Sequence, residues 1–503
     1  MPETSTAAAD PIRWLTRLRR FATSEEAGAA WLGCVGAMLI TVGGLGAGST
    51  RVHDPVLESL HLSWLRFGHG LVLSTALLWT GVAVMLLAWF GLGRRVIDRT
   101  ASEYTLIVTT GFWLAPLLLS VPVFSRDTYS YLAQGALLRD GFDPYQVGPV
   151  ANPNSLLENV SPIWAATTAP YGPAFILIAK LVTMLVGNNV VVGTMVLRLC
   201  MLPGLALLMW AAPQVARRVG GTGPAALFLA VLNPLVIIHL MGGVHNEMLM
   251  VGLMVAGIAL TLMDRPLAGV ALLAVAAAVK ATAVIALPFL VWIWMRRLHQ
   301  RRGYSPVAAF AAAAAASAVI VVAVFAVLSA LAGVGLGWLT ALLAGNVKII
   351  NWLTIPTAVA NLLHAFLTPV GSLNFYAVLH VSRIVGVGVI AVALPVIWWR
   401  SRRDDRAAVS GIAWATLVMV LFVPAALPWY YTWPLAVAAT VVRSSGAIAA
   451  IAAASTWIMV IFKPDGSHGM YAWLHVIGAT GCAVYAWYRL RQPAATADEP
   501  AAA

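Results

Sequence analysis

The sequence predicts an all-helical membrane protein that crosses the bilayer many times, and its composition carries that prediction. Of the 503 residues, 61% are hydrophobic and 10% are charged, whereas soluble domains contain about 45–50% apolar and about 25% charged residues. The mean hydropathy is +0.86, and disordered chains have the opposite composition. Because a spanning helix needs roughly 20 residues, the chain has room for a dozen or more spans and for no large extra-membrane domain.

Apolar segments that are candidate spans follow one another along nearly the whole chain. They cover 27–48, 70–92, 103–123, 171–187, 190–212, 224–241, 247–263, 267–279, 283–296, 305–331, 374–399, 406–424, 428–442, 446–462 and 470–488. Counting each as a full crossing places the basic cluster Arg296–Arg302 outside, against the rule that Lys and Arg mark cytoplasmic ends. We therefore expect roughly 12–14 crossings, with 171–187 or its neighbour incomplete and 267–296 a hairpin of short helices.

The domain organisation follows from these spans. We expect a cytoplasmic tail at 1–26, a transmembrane domain at 27–488 and a cytoplasmic tail at 489–503. The net charge of +12 is interpreted as an orientation signal. No basic stripe interleaved with aromatic residues indicates nucleic-acid binding.

Two connecting segments, 124–170 and 333–373, are longer than the roughly 15 residues of an ordinary loop. Both fall on the outer side in this topology. They keep aromatic and apolar residues throughout, so we expect them to be ordered and to contain interfacial helices.

The first outer segment contains Asp127 in FSRDTYSYLAQG. On a helix that starts there, Asp127, Tyr131 and Gln134 share one face. This pattern predicts an amphipathic helix in the outer interface, with a carboxylate at the mouth of the bundle. A helix cap or an ion pair with Arg126 explains Asp127 equally well.

Other ionisable residues lie in apolar surroundings, where charge is costly. His245 and Glu247 open an otherwise uncharged span; they are functional or form a first-turn cap. Being two residues apart, they are expected to face different ways. Lys280 lies in the middle of an apolar stretch and needs an anion, either a phosphate or a structural ion-pair partner. No carboxylate can be placed opposite it from the sequence.

Aromatic residues are dense on the outer side of this topology, at Trp352, in 428–434 and in 463–473. They suit an interfacial belt or the stacking of sugar rings. Walker A, HExxH and GxSxG motifs are absent from the sequence, so ATP hydrolysis, zinc proteolysis and serine hydrolysis are not indicated.

Several long motifs together resemble one family. They are FSRDTYSYLAQGALLRDGFDPY, YGPAF, LNPLVIIHLMGGVHNEMLM, AVK, KIINWLTIPT, ALPWYYTWPL and IFKPDGSHGMY. Over about 25–490 the chain resembles the polyprenyl-phosphomannose-dependent α-(1→6)-mannopyranosyltransferases, its A-type members most closely. The resemblance implies the GT-C glycosyltransferase fold, an outward-facing active site in the plasma membrane, and extension of the α-1,6-mannan of lipomannan and lipoarabinomannan.

The resemblance also implies a chemistry. A β-mannosyl phosphate on a polyprenol would give an α-mannoside, with inversion, and Asp127 would be the base that deprotonates the acceptor 6-hydroxyl. Candidate ligands of the donor phosphate are Lys280, His245, Arg126, Lys348 and His468. Candidate sugar and acceptor contacts are Tyr131, Gln134, Asp143, Tyr145, Glu247, Asn351, Trp352, Trp429 and Tyr430. No metal or other cofactor is expected, and the polyprenyl tail is expected in an apolar groove open to lipid.

Two alternatives remain. A transporter or flippase of lipid-linked sugar would share the groove and the cations, although no internal repeat of the kind found in transporters is evident. A GT-C enzyme with another polyprenyl-phosphate donor, such as an arabinose donor, is the second.

Overall fold

The structure, a computed structural model, describes residues 11–345, 348–368, 371 and 374–492. This part of the chain is built from helices and connecting segments without a β-strand, and its only bridge of β type joins Phe462 and His468. The α-helices are α1 Pro11–Ala22, α2 Gly28–Ala47, α3 Pro55–Ser59, α4 Gly68–Ile97, α5 Glu103–Leu117, α6 Asp127–Arg139, α7 Pro162–Ala165, α8 Pro173–Val186, α9 Val190–Arg218, α10 Gly223–Ala230, α11 Glu247–Leu262, α12 Pro266–Val279, α13 Leu287–Arg302, α14 Pro306–Ala332, α15 Trp338–Gly345, α16 Ile355–Leu367, α17 Phe375–Arg400, α18 Asp405–Phe422, α19 Thr432–Val441, α20 Ser445–Ile461 and α21 Trp473–Arg491.

Several of these helices are long and apolar enough to cross a membrane. Within the described residues there are seven, or eight if the bent pair of α10 and the π-helix Leu235–Gly242 is one span. Five further apolar helices are only 10–17 residues long. The expected 12–14 crossings would require these shorter helices to cross too, and that number stays a prediction. At 14 residues, α8 is about 21 Å long, which supports the expectation that 171–187 does not cross fully.

Two predicted spans are broken. The segment 224–241 bends by 51° between α10 and the π-helix, where Pro234 supplies no amide hydrogen to a helix. The segment 267–296 is interrupted at Lys280, which is extended (φ −145°, ψ 119°) and is followed by the 3₁₀-helix Ala281–Ala286. The predicted break is thus present, but the expected hairpin of short helices is wrong in its second part, because the helix Ala281–Arg302 is long enough to be a span.

Both outer segments contain helices, as predicted: α6 and α7 in 124–170, and α15 and α16 in 333–373. The amphipathic interpretation of α6 is wrong. Residues Thr128–Leu137 are all buried, because α6 packs against α8 and α9. A Cβ atom on Gly135 would lie 2.3 Å from the Ala179 carbonyl oxygen, so only glycine allows this approach.

Candidate functional site

The start of α6 is tied to the turn that follows the π-helix. The Val123 amide donates to the Gly242 carbonyl (3.4 Å), and the Thr128 hydroxyl donates to the Val244 carbonyl (3.3 Å). Phe124 and Val244 both have left-handed backbones, with φ of 65° and 58°, a conformation that costs roughly 1–3 kcal/mol for such residues. Two strained segments are therefore held together. Asp127, which follows Phe124, and His245, which follows Val244, consequently face each other.

Asp127 is the first residue of α6, and its side chain is 14% exposed. Its Oδ2 atom lies 3.7 Å from Nδ1 of His245. Burial, and secondarily the carboxylate of Glu247, raises the pKa of Asp127 to about 7, while Lys280 and the Ser125 hydroxyl oppose the shift. A carboxyl group with a pKa near neutrality can take up a proton at physiological pH.

His245 is fully buried at the centre of the site. Its Nδ1 atom lies 3.5 Å from the Tyr131 hydroxyl and 3.9 Å from Oε2 of Glu247. The indole of Trp429 stacks on its ring at 3.8 Å between centroids. The expectation that His245 and Glu247 face different ways is wrong, because His245 precedes α11 in a turn and helical spacing does not apply there.

Lys280 has the carboxylate partner that the sequence could not place. Its Nζ atom contacts Oε1 of Glu247, and both side chains are buried. The ammonium group also lies 4.5 Å from the ring centroid of Tyr430, 5.4 Å from that of Trp433 and 5.9 Å from that of Tyr171, within cation–π range. The structural ion pair is therefore present, and Lys280 keeps further N–H donors for a ligand.

Two cavities meet at Asp127. The first, here called the inner cavity, contains Lys280 and Tyr430 and is also lined by Ser130, Gln134, Trp164, Thr167, Thr168, Pro170, Tyr171 and Leu427. The Ser130 hydroxyl and Oε1 of Gln134 have no hydrogen-bond partner within the described residues. Buried polar groups of this kind normally bind a partner, so the inner cavity offers polar atoms to a ligand.

The second cavity, here called the outer pocket, has a volume of about 410 Å³. It shares Asp127, Trp164 and Leu427 with the inner cavity. Its other residues are Ser125, Arg126, Ser161, Ile163, Lys348, Ile349, Ile350, Asn351, Trp429, Phe462, Asp465, Gly466, Ser467 and His468. Asp127 thus lies between an inner cavity with a cation and a wider pocket built from the outer segments.

An apolar groove of about 680 Å³ begins beside the inner cavity. Ala277 and Ala281, which flank Lys280 on either side in the chain, line it together with residues of α14 such as Val322, Phe325 and Ala326. Its surface is almost wholly apolar. The sequence predicts a groove for a polyprenyl tail without locating it. An apolar groove is present, one of its residues directly follows Lys280 in the chain, and its use by a lipid tail stays a prediction.

Four residues of the outer pocket were predicted to bind the phosphate or the sugars. Three of them form hydrogen bonds within the protein, and the fourth is uncharged. Arg126 donates to the carbonyls of Thr50 and Asn159, and Asn351 donates to that of Ala426. Lys348 donates to the Thr167 hydroxyl (2.9 Å). Burial, helped by Lys463, lowers the pKa of His468, so its imidazole is neutral at pH 7 and brings no positive charge to a phosphate.

Three predicted residues lie away from both cavities as the structure describes them. Asp143 accepts hydrogen bonds from the Tyr145 amide and from Gln146 within its own turn. The Tyr145 hydroxyl donates to the Tyr171 carbonyl, and the Trp352 indole donates to the Met470 carbonyl. Their observed contacts stabilise the outer segments.

Sequence reasoning missed part of the wall of both cavities. Trp164, in α7, and Thr167 come from the end of the first outer segment, and Trp433 lies beside Lys280. Thr167 and Trp433 each have similar residues close by, and Trp164 is a single aromatic residue outside any motif, so no pattern in the sequence distinguishes them. Within the described residues, no group of three His, Cys, Asp or Glu is arranged to hold a metal ion.

The broken helices, the long helical outer segments and the buried acidic site define a polytopic membrane protein with the GT-C fold. The family model described as "Alpha-(1->6)-mannopyranosyltransferase, N-terminal domain" matches residues 30–296, and the model of the MptB C-terminal domain matches residues 356–492. The chain belongs to this family of α-(1→6)-mannopyranosyltransferases.

Curated relatives agree over nearly the full length. The chain is 69% identical to alpha-(1->6)-mannopyranosyltransferase A of Mycobacterium tuberculosis, over 97% of this chain and 94% of that protein. It is 37% identical to alpha-(1->6)-mannopyranosyltransferase A of Corynebacterium glutamicum, over 92% of this chain and 98% of that protein. It is 32% identical to alpha-(1->6)-mannopyranosyltransferase B of C. glutamicum, over 83% of this chain and 72% of that protein.

Proposed function

We propose that this protein transfers mannose from polyprenyl-phosphate-mannose to the 6-hydroxyl of an α-1,6-mannan chain, with inversion at the anomeric carbon. The product extends the backbone of lipomannan and lipoarabinomannan. The observation that carries the proposal is the position of Asp127, between the inner cavity with Lys280 and the outer pocket. The relatives that match over most of the chain are named as α-(1→6)-mannopyranosyltransferases, which supports the transfer of mannose to a 6-hydroxyl.

Asp127 is the general base in this proposal. The acceptor oxygen attacks the anomeric carbon as its proton passes to the Asp127 carboxylate, while the bond from that carbon to the phosphate oxygen breaks. The polyprenyl phosphate leaves as an anion and needs no strong acid. Burial supports the role, because a base with a pKa of about 7 is stronger than an ordinary carboxylate and is still ionised in about half of the molecules at neutral pH.

His245 acts as a positioning residue. It lies 3.7 Å from the Asp127 carboxylate and 3.9 Å from the Glu247 carboxylate, and the Trp429 indole holds its ring from one side. This contact keeps Asp127 directed to the boundary between the two cavities.

The donor would lie with its phosphate near Lys280 and its polyprenyl tail in the apolar groove. Ala277 and Ala281 line the groove and stand on either side of Lys280 in the chain, so a lipid phosphate can reach the ammonium group while the tail stays in apolar surroundings. Glu247 already compensates the positive charge of Lys280. We therefore assign Lys280 the role of a hydrogen-bond donor to the phosphate. Lys348, on the outer pocket, adds a second cation.

The acceptor would bind in the outer pocket. Asn351, Trp429 and Trp164 supply polar and aromatic surfaces there, and Ser130 and Gln134 present unpartnered oxygens in the inner cavity to the mannose of the donor. We further propose that the reaction needs no divalent metal, and that the site faces the outer side of the plasma membrane.

The test is reconstitution of the purified protein in liposomes with polyprenyl-phosphate-mannose and a short α-1,6-mannoside. The expected product is longer by one mannose, and NMR shows a new α-1,6 linkage. Arabinose and glucose donors on the same lipid should give no product. Movement of the donor across the bilayer without any elongated product would instead support the alternative function of a transporter or flippase. Equal use of the arabinose donor would overturn the assignment of mannose as the transferred sugar.

A further inference from the structure

A fourth concave surface lies at the ends of α13 and α19 that are remote from Lys280 and Tyr430. It has a volume of about 580 Å³ and is lined by Arg218, Arg296, Arg297, Arg403, Arg406 and Arg443, together with Asp404, Asp405, Val219, Gly220 and Gln300. We call it the arginine pocket. Four separate parts of the chain build it: the end of α9, α13, the start of α18 and the segment after α19.

The helices that reach the arginine pocket also reach the site. The 3₁₀-helix after Lys280 leads into α13, which carries Arg296 and Arg297 near its other end. Similarly, α19 begins two residues after Tyr430 and ends two residues before Arg443. The pocket therefore lies one helix away from Lys280 and Tyr430 along the chain, at the basic end that faces the cytoplasm by the distribution of Lys and Arg.

The two carboxylates of the pocket are already engaged. Asp405 accepts from Arg296 (2.7 Å) and from Arg297 (2.5 Å), and Asp404 caps α18 by accepting from the Ala407 amide (2.7 Å). Within the described residues, Arg218, Arg403, Arg406 and Arg443 form no ion pair. Arg296 and Arg297 share Asp405, and Arg297 also pairs with Asp264 (2.8 Å) outside the pocket. The pocket therefore keeps four arginines whose charge no carboxylate of the described residues pairs with.

The surplus charges are held close together by backbone carbonyls. Arg406 (2.5 Å) and Arg443 (3.0 Å) both donate to the Val219 carbonyl, and Arg443 also donates to that of Gly220 (2.6 Å). Gly220 has φ +74°, and a Cβ atom there would lie 2.0 Å from Nη2 of Arg443. Like charges repel, so two guanidiniums on one carbonyl form an unfavourable arrangement that an anion would stabilise.

We propose that the arginine pocket binds a phosphate-bearing anion. The planar guanidinium fork matches phosphate oxygens, and basic pockets between spanning helices on the cytoplasmic side suit anionic headgroups. A phosphodiester of an anionic phospholipid and free inorganic phosphate share this chemistry. The inference does not depend on the proposed function, because binding can be measured without transfer.

The test uses the purified full-length protein in zwitterionic nanodiscs. Native mass spectrometry and thermal unfolding are measured with added phosphatidylglycerol, phosphatidylcholine or inorganic phosphate. Arg218→Gln/Arg403→Gln removes two charges with little structural loss, because Arg218 donates only within its own helix, to Gln214. The control, Arg302→Gln/Arg400→Gln, removes two exposed charges outside the pocket.

We expect phosphatidylglycerol to be retained by the wild type and the control, and the pocket variant to bind it about tenfold more weakly or worse. Gly220→Ala keeps every charge but displaces Arg443, and it should weaken binding as well. Phosphate that stabilises the wild type and not the pocket variant would identify the free anion as the ligand. Equal retention of both lipids with no effect of phosphate would overturn the proposal, as would equal losses in the pocket and control variants.

Discussion

Lys280 and Glu247 lie in direct contact, although 33 residues separate them. Lys280 lies at the break after α12, and Glu247 is the first residue of α11. The break frees the lysine from helical geometry, and the start of α11 directs the carboxylate to it. The buried ammonium group of Lys280 and the buried carboxylate of Glu247 thereby compensate each other before any substrate binds.

Replacing one partner of this pair should destabilise the protein. Lys280→Met leaves the Glu247 carboxylate buried and unpaired, at a cost of about 3–5 kcal/mol, so the melting temperature should fall. The double variant Lys280→Met/Glu247→Met should recover most of that loss without recovering transfer. Differential scanning fluorimetry and the transfer assay measure the two effects. An unchanged melting temperature in Lys280→Met would show that the pair has no structural role.

Asp127→Asn should lower transfer by at least about 100-fold, because the amide cannot accept the acceptor proton. The side chain keeps its shape, so the melting temperature should stay close to that of the wild type. Asp143→Asn is the matched control: its carboxylate accepts hydrogen bonds within an outer turn, and its loss of charge should leave transfer nearly unchanged. Transfer by Asp127→Asn at the wild-type rate would exclude Asp127 as the base.

The transfer rate should rise with pH, with a midpoint near the Asp127 pKa of about 7. The reason is that only the ionised carboxylate accepts a proton, and it is protonated below that pH. The measurement is kcat/KM for the acceptor at saturating donor. A profile that is level from acidic to alkaline pH would contradict the role of Asp127.

Stability gives an independent check on the same group. The Asp127 pKa is higher in the folded protein than in the unfolded chain, so folding takes up a proton and stability falls as pH rises from about 4 to about 7. Asp127→Asn should lack this part of the pH dependence in thermal unfolding.

Filling the apolar groove should weaken the binding of long-chain donors. Ala326→Trp places an indole among the groove residues of α14, which should raise KM for a long polyprenyl donor and leave KM for a short-chain donor nearly unchanged. Ala323→Trp, on an exposed position of the same helix, is the matched control. Equal effects of both variants, or of both chain lengths, would show that the tail binds elsewhere.

Chelation should leave the reaction unaffected. Transfer measured with excess EDTA should match transfer with added Mg²⁺ or Mn²⁺, because the proposal assigns the phosphate to Lys280 and Lys348 rather than to a metal. A loss of rate with EDTA that Mn²⁺ restores would contradict the metal-free proposal.

Composition and motifs were sufficient to predict the helical membrane fold, the helices within 124–170 and 333–373 and the break near Lys280; the catalytic role of Asp127 stays a prediction. Those features are local, since hydropathy and helix breaks are properties of short stretches of chain. The prediction for α6 failed for the opposite reason: Asp127, Tyr131 and Gln134 do follow helical spacing, but α8 and α9 cover the helix. Burial of a helix depends on its neighbours.

The sequence by itself determined that charges are rare in this protein and which ones lie within apolar stretches of the chain. Only the tertiary structure decided their partners. Asp127 meets His245 and Lys280 meets Glu247 because non-helical segments bring distant parts of the chain together: strained ones at Phe124 and Val244, and an extended one at Lys280. Coulomb interactions depend on distance in space, and the sequence records only distance along the chain.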